Sequence, residues 1–174
     1  GGSNLTGDFP PEIGNLANLI ELALYNNQLT GPIPPEIGNL INLTYLNVAN
    51  NELSGAIPPE IGNMTNLSYL SLGGNQLTGS IPSEIWNMTN LNYLYLNYNE
   101  LSGSIPPEIG NLIGLRDFDL SENRLTSLPA DITKLTGLVI LDVSDNRWPL
   151  IPSQIDELNK IIAQNNADEN PFTH

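Results

Sequence analysis

Nineteen acidic side chains against five basic ones dominate the chemistry open to this chain, with a net charge of -14. The first base is Arg116, and the acids from Asp8 to Glu108 all precede it. All six tyrosines lie between Tyr25 and Tyr98. Cysteine is absent, and the one histidine is His174. No thiolate nucleophile, zinc-thiolate set or internal histidine base is available, so no catalytic residue and no metal site is expected. Carboxylates and phenols remain. Two carboxylates facing across a cleft could cleave a glycoside, and oxygen ligands suit calcium, although no EF-hand-like spacing is present. A phosphate backbone needs cations, so no nucleic acid partner is expected. The acidic balance also disfavours an anionic membrane surface, and no apolar run has the length for membrane insertion. No cofactor motif is found.

A repeat positions these side chains. Leu19, Leu43, Leu67, Leu91, Leu115 and Leu138 open successive units, four steps of 24 residues and one of 23. Within a unit Leu43, Leu46, Val48, Asn51 and Leu53 fit L-x-x-L-x-L-x-x-N-x-L, the leucine-rich repeat signature. Leu46 and Val48, two apart, predict a strand with one buried face. The asparagine column Asn27, Asn51, Asn75, Asn99, Asn123 and Asn146 falls where the chain must turn, and an amide can satisfy turn backbone groups there. Ser54-Gly55 and Ile57-Pro58 predict an extended or turn-like stretch and not a central strand. Pro59-Glu60 predicts the start of a short helical turn, with Ile61 and Met64 inward. Stacking alone buries the leucines. The expected fold is an α/β solenoid, a curved parallel sheet on the concave side and short helical or 3-10 turns on the convex side. Residues 1–18 read as a partial N-terminal repeat, 19–158 as six repeats, and 159–174 as a C-terminal cap and tail.

Leu29-Thr30-Gly31-Pro32-Ile33-Pro34 and Leu77 to Pro82 resemble the plant-specific class of leucine-rich repeat, as in receptor-kinase ectodomains and polygalacturonase-inhibiting proteins. That resemblance implies extracellular recognition of peptides, proteins or wall polysaccharide. The chain departs from the class in lacking cysteine caps. Leu125-Thr126-Ser127-Leu128-Pro129 also drops the glycine and resembles repeats of bacterial and intracellular proteins.

The outward strand positions are the expected ligand surface. One column holds Glu21, Tyr45, Tyr69, Tyr93, Asp117 and Ile140, and the next holds Ala23, Asn47, Ser71, Tyr95, Asp119 and Asp142. Beyond them run Tyr25, Ala49, Gly73, Asn97, Ser121 and Ser144, then Asn26, Asn50, Gly74, Tyr98, Glu122 and Asp145. Tyrosine is a good strand residue and can serve sheet cohesion alone. It also supplies rigid amphipathic contact area, and Gly73-Gly74 leaves room beside it. The acids of the last two units fit a basic partner, a solubilising face or calcium. The ligand-binding expectation is Tyr45, Tyr69, Tyr93, Tyr95, Tyr98, Asn97, Asp117, Asp119, Asp142 and Asp145, taking a protein or peptide with a basic group. A carbohydrate ligand, or a structural and adhesive array, are the alternatives.

Elsewhere Glu12, Glu36, Glu60, Glu84, Glu108 and Asp131 form a convex column suited to helical N-termini. Sequons at Asn4, Asn42, Asn63, Asn66 and Asn87 fit secretion, although the repeat supplies them anyway. Trp148 is expected to fill a wider terminal core, and Ile161 with Ala163 a last short strand. At the N-terminal end either the sequence continues in a longer chain, or Phe9, Ile13 and Leu16 face a partner, with self-association through that uncapped end as one form. The expected location is extracellular or at the cell surface, with the cytoplasm as the alternative.

Overall fold

The computed structural model describes residues 3–149, 160 and 162–164. The strands in chain order are β1 (Thr6–Asp8), β2 (Glu21–Ala23), β3 (Gln28–Thr30), β4 (Tyr45–Asn47), β5 (Ser54–Ala56) and β6 (Tyr69–Ser71). They continue as β7 (Gln76–Gly79), β8 (Tyr93–Tyr95), β9 (Glu100–Ser104), β10 (Asp117–Asp119), β11 (Arg124–Ser127) and β12 (Ile140–Asp142). The even-numbered strands form one six-stranded parallel sheet in the order β2-β4-β6-β8-β10-β12. Its register is that of the repeat: Leu46 faces Leu70, and Leu70 faces Leu94. Five-residue 3-10 turns alternate with the strands, from Pro11–Asn15 to Ala130–Lys134. This is the solenoid that the spacing predicts.

The core runs the length of the stack. In the unit quoted above, Leu43, Leu46, Val48, Leu53, Ile57, Ile61 and Met64 are all buried. Most 3-10 turns begin with proline, whose missing N–H costs nothing at that position. Each has an acid in its first turn, although no side chain caps it by a hydrogen bond. The turns pack tightly on one another. A Cβ on Gly38 would lie 2.4 Å from the Glu60 carbonyl oxygen, so that position takes glycine. Unit three places Trp86 there instead. Its ring is fully buried, and its indole N–H has no partner among the described residues.

Two features differ from expectation. The Ser54–Ala56 stretch is a strand, one of a second row of short parallel pairings, β1-β3 and β5-β7-β9-β11. Proline does not prevent this, because Pro58 falls beyond the three-residue strand. Gly55 sits in β5 at φ 77, a conformation that glycine adopts without strain. Where unit five has Ser127 in place of that glycine, the pairing of β9 with β11 shifts register between Leu125 and Ser127. Finally, Ala163 lies in the helical residues 162–164 and not in a strand, as Ala and Gln favour. Ile161 is outside the described residues. Trp148 packs against the core, and its indole donates to the Val143 carbonyl.

The asparagine column ties units together. Asn99 Oδ1 accepts from the Leu77 N–H at 3.0 Å, and its Nδ2 donates to the carbonyls of Leu72, Leu96 and Asn97. Asn51, Asn75, Asn123 and Asn146 each take a leucine N–H of the preceding unit in the same way. Leucine at position 99 would leave several buried groups unpaired, at about 3 kcal/mol in total. Asn99→Leu should therefore lower the urea midpoint by that amount at unchanged slope. At the exposed bonds of Asn27, water can replace the amide, and Asn27→Leu should cost under about 1 kcal/mol.

Candidate functional site

The parallel register turns sequence columns into rows of neighbouring side chains. Tyr45, Tyr69 and Tyr93 lie opposite one another on β4, β6 and β8. The rings of Tyr45 and Tyr69 stack, with centroids 4.3 Å apart and planes 17° apart. Tyr69 also meets Tyr93 at 5.8 Å and Tyr95 at 5.5 Å, both tilted. Three of the expected tyrosines thus gather around a fourth, Tyr69. Tyr45, Tyr69 and Tyr95 are half-buried, and Tyr93 is exposed.

The aromatic cluster runs directly into the acids. Tyr95 Oη donates to Asp117 Oδ2 at 2.6 Å, one strand away. Burial, then this bond and the charge of Asp117, push the Tyr95 phenol well above its ordinary value of 10.0. Burial and the adjacent Tyr45 raise Tyr69 as well. Asp119 and Asp142 are neighbours on β10 and β12. Each uses Oδ1 to accept from the backbone N–H and hydroxyl of the serine two residues on, Ser121 and Ser144. Asn47 makes the same local bond to the Ala49 N–H. Where this column carries an amide or a carboxylate, its oxygen takes that local bond, whereas Ala23 and Tyr95 do not. In the last two units aspartate supplies the oxygen and adds charge. Among the described residues no group of acids has the arrangement of a metal site.

Other expected residues stand apart. Tyr98 is 59% exposed and makes no ring contact with the other tyrosines among the described residues. Asp145 is exposed on the same rim. Gly73 and Gly74 do not leave open room. A Cβ on Gly73 would lie 2.4 Å from Asn97 Oδ1, and one on Gly74 would lie 2.2 Å from Asn50 Oδ1. The amides of Asn97 and Asn50 occupy that space. Sequence reasoning also missed Arg116 and Val139, which line a depression of about 170 Å³ with Tyr93, Asp117 and Ile140. Their column, from Ile20 through Thr44 and Ser68, was available in the 24-residue spacing. A larger groove of about 630 Å³ lies away from these residues, over Ile57, Ile81, Ser80, Ser83 and Trp86. At the N-terminal end Phe9 is buried, Leu5 and Leu16 are exposed, and a cavity of about 320 Å³ opens beside Leu24 and Leu29.

A family model described as leucine rich repeat matches residues 41–101, and a second of that description matches 18–40 and 114–135. The chain belongs to the leucine-rich repeat family. No curated protein matches it in sequence. Its structure is similar to that of a TDR receptor, at 34% identity and a TM-score of 0.83, over 88% of this chain and 27% of that one. It is similar to a plant ice-binding protein at 38% identity and a TM-score of 0.78, over 83% of this chain and 47% of that one. It is also similar to the Arabidopsis receptor kinase HAESA, solved with the peptide hormone IDA and the co-receptor SERK1. That match has 32% identity and a TM-score of 0.67, over 83% of this chain and 29% of that one. The chain thus spans less than half the length of each of these three. No described helix is long and apolar enough to cross a membrane.

This leucine-rich repeat chain carries a rim of left-handed residues. Asn26, Asn50, Tyr98, Glu122 and Asp145 have φ between 50 and 55, and Gly74 has φ 66. Asparagine tolerates that region, and Asn50 Nδ2 also donates to Asn26 Oδ1 at 2.8 Å. Tyrosine does not, at a cost of roughly 1 kcal/mol or more. Tyr98→Asn is expected to stabilise the protein by about 1 kcal/mol in thermal unfolding, which marks Tyr98 as a residue held at the expense of stability. The raised phenols give a second expectation. The folded chain keeps protons that the unfolded chain releases near the ordinary phenol value of 10.0. Their contribution is complete below that pH and is lost as pH rises above it. Urea unfolding at about pH 9 and about pH 11 should show this decline, and Tyr95→Phe should reduce it.

Proposed function

We infer that this chain is a non-catalytic recognition module whose concave face binds an extended peptide or protein segment bearing a basic residue, outside the cell. The observation that carries the reading is the continuity of the surface. An aromatic cluster on β4, β6 and β8 passes through the Tyr95–Asp117 bond onto carboxylates of β10 and β12. Tyrosine gives contact area at low entropy cost. Asp119 and Asp142 lie side by side on β10 and β12, placed to attract a cation. HAESA, with its peptide hormone, and the TDR receptor support a peptide ligand. The ice-binding neighbour lies between these two receptors in fold similarity, so the choice rests on the face and not on the architecture.

The test is paired peptide and glycan arrays, followed by titration of a lysine-containing peptide hit. Tyr69→Ala/Tyr93→Ala/Tyr95→Ala should abolish hits while circular dichroism stays unchanged. Asp119→Asn/Asp142→Asn keeps the acceptor that the backbone needs, as Asn47 does, and removes only charge. It should weaken the peptide roughly fivefold, by about 1 kcal/mol, and the wild-type affinity should fall with added salt. Salt-insensitive binding that the double variant leaves untouched would defeat the basic-ligand reading. Hits confined to glycans would establish the carbohydrate alternative, and a concentration-dependent mass without array hits would establish self-association.

A further inference from the structure

The stacked pair at the centre of the ladder has a reactivity of its own. Tyr45 and Tyr69 sit directly opposite on β4 and β6, with ring faces nearly parallel at 4.3 Å. Both are half-buried, so the rings are held together and still reachable from one side. The other pairs of the cluster are tilted by 39° and 51° and do not present face to face. Exposed Tyr25 and Tyr98 have no ring neighbour among the described residues. We propose that Tyr45 and Tyr69 form an oxidative modification site, joined into an intramolecular dityrosine by a peroxide-fed one-electron oxidant of the peroxidase class.

The chemistry balances without any group of the protein being consumed. Each phenol gives one electron to the oxidant and releases its phenolic proton. The two phenoxyl radicals carry spin on the ring carbons ortho to oxygen, and stacking holds the two rings face to face with centroids 4.3 Å apart. One C–C bond forms between them. The hydrogen on each joined carbon then moves as a proton to its own oxygen, which restores both phenols. Two electrons and two protons leave the protein, and hydrogen peroxide takes them to become two waters. Tyr95 offers an entry point for the oxidation. Its phenolic proton already lies on the bond to Asp117, 2.6 Å away, and its ring is 5.5 Å from Tyr69. An electron vacancy formed at Tyr95 can be refilled from Tyr69, which carries the oxidation to the stacked pair. The cross-link would close a 24-residue interval across two units, in a chain that has no cysteine for any other covalent staple.

The experiment treats the full chain with a haem peroxidase and hydrogen peroxide at two protein concentrations. The expected result is blue dityrosine fluorescence, loss of two hydrogens in the intact monomer mass, and a mapped peptide joining Tyr45 to Tyr69. The yield should not depend on protein concentration. Tyr45→Phe and Tyr69→Phe, each folded by circular dichroism, should abolish the joined peptide, and Tyr98→Phe should leave it unchanged. Asp117→Asn should slow its formation severalfold. Dityrosine found only in concentration-dependent dimers, or mapped to other tyrosines, would overturn the proposal. So would an absence of dityrosine while free tyrosine in the same mixture is coupled.

Discussion

Every other feature of this molecule depends on the pairing of each asparagine amide with the unit before it. A single unit has too few apolar side chains to pay for its own ordering, so its leucines are buried only when neighbours stack on them. Stacking in turn leaves turn N–H and carbonyl groups facing the interior, where an unpaired group costs more than a paired one returns. The asparagine column removes that difficulty with one side chain per unit. It takes a leucine N–H from one side and bonds carbonyls of two successive units, as Asn123 does with Leu96 and Leu120. The bond holds the offset along the chain to 21 or 22 residues. That offset keeps the period near 24 residues, and the period keeps the parallel sheet in register.

Register has a direct consequence for the surface. When Tyr45 faces Tyr69 and Tyr69 faces Tyr93, a change of residue type along a column becomes a change of chemistry along the solenoid axis. The first column goes from acid through three tyrosines to Asp117 and Ile140. The second goes from Ala23 and neutral amide or hydroxyl to Tyr95, Asp119 and Asp142. The two columns meet at the Tyr95–Asp117 bond, which orients the last ring of the cluster and the first carboxylate of the acidic units. The rim shows the same logic at a cost. Asparagine and glycine suit its left-handed backbone, yet units four and five place Tyr98 and Glu122 there.

The parts that were legible in the sequence are those that a one-dimensional period records. The concave strands, the amide column, the inward Ile61 and Met64, and the gathering of tyrosines all follow from residue spacing. The second row of strands was not legible, because proline and glycine argue against a strand unless its length is known to be three residues. The acids were only half legible. Their alignment was plain, but Asp119 and Asp142 also hold serine N–H groups, a local bond that spacing does not reveal. Gly73-Gly74 was misread for a related reason. Small side chains signal space, but only coordinates show that Asn97 and Asn50 fill it.

Under the proposed function, a ligand on this face would be constrained by the order of its chemistry as much as by its content. A segment lying parallel to the strands would meet one unit, and so either phenols or carboxylates. A segment lying along the solenoid axis would meet both. Five in-register strands from β4 to β12 span roughly 19 Å, the length of about six residues of extended chain. The units that carry the tyrosines have no base of their own, and the first base, Arg116, lies beside Tyr93 at the acidic end of the cluster. Aromatic or aliphatic residues suit the tyrosine end, and a cation suits the acidic end. Under the proposed function, a peptide laid along the axis would be oriented by its cation, which carboxylates attract more strongly than phenols do, and reversal would set apolar groups against the carboxylates.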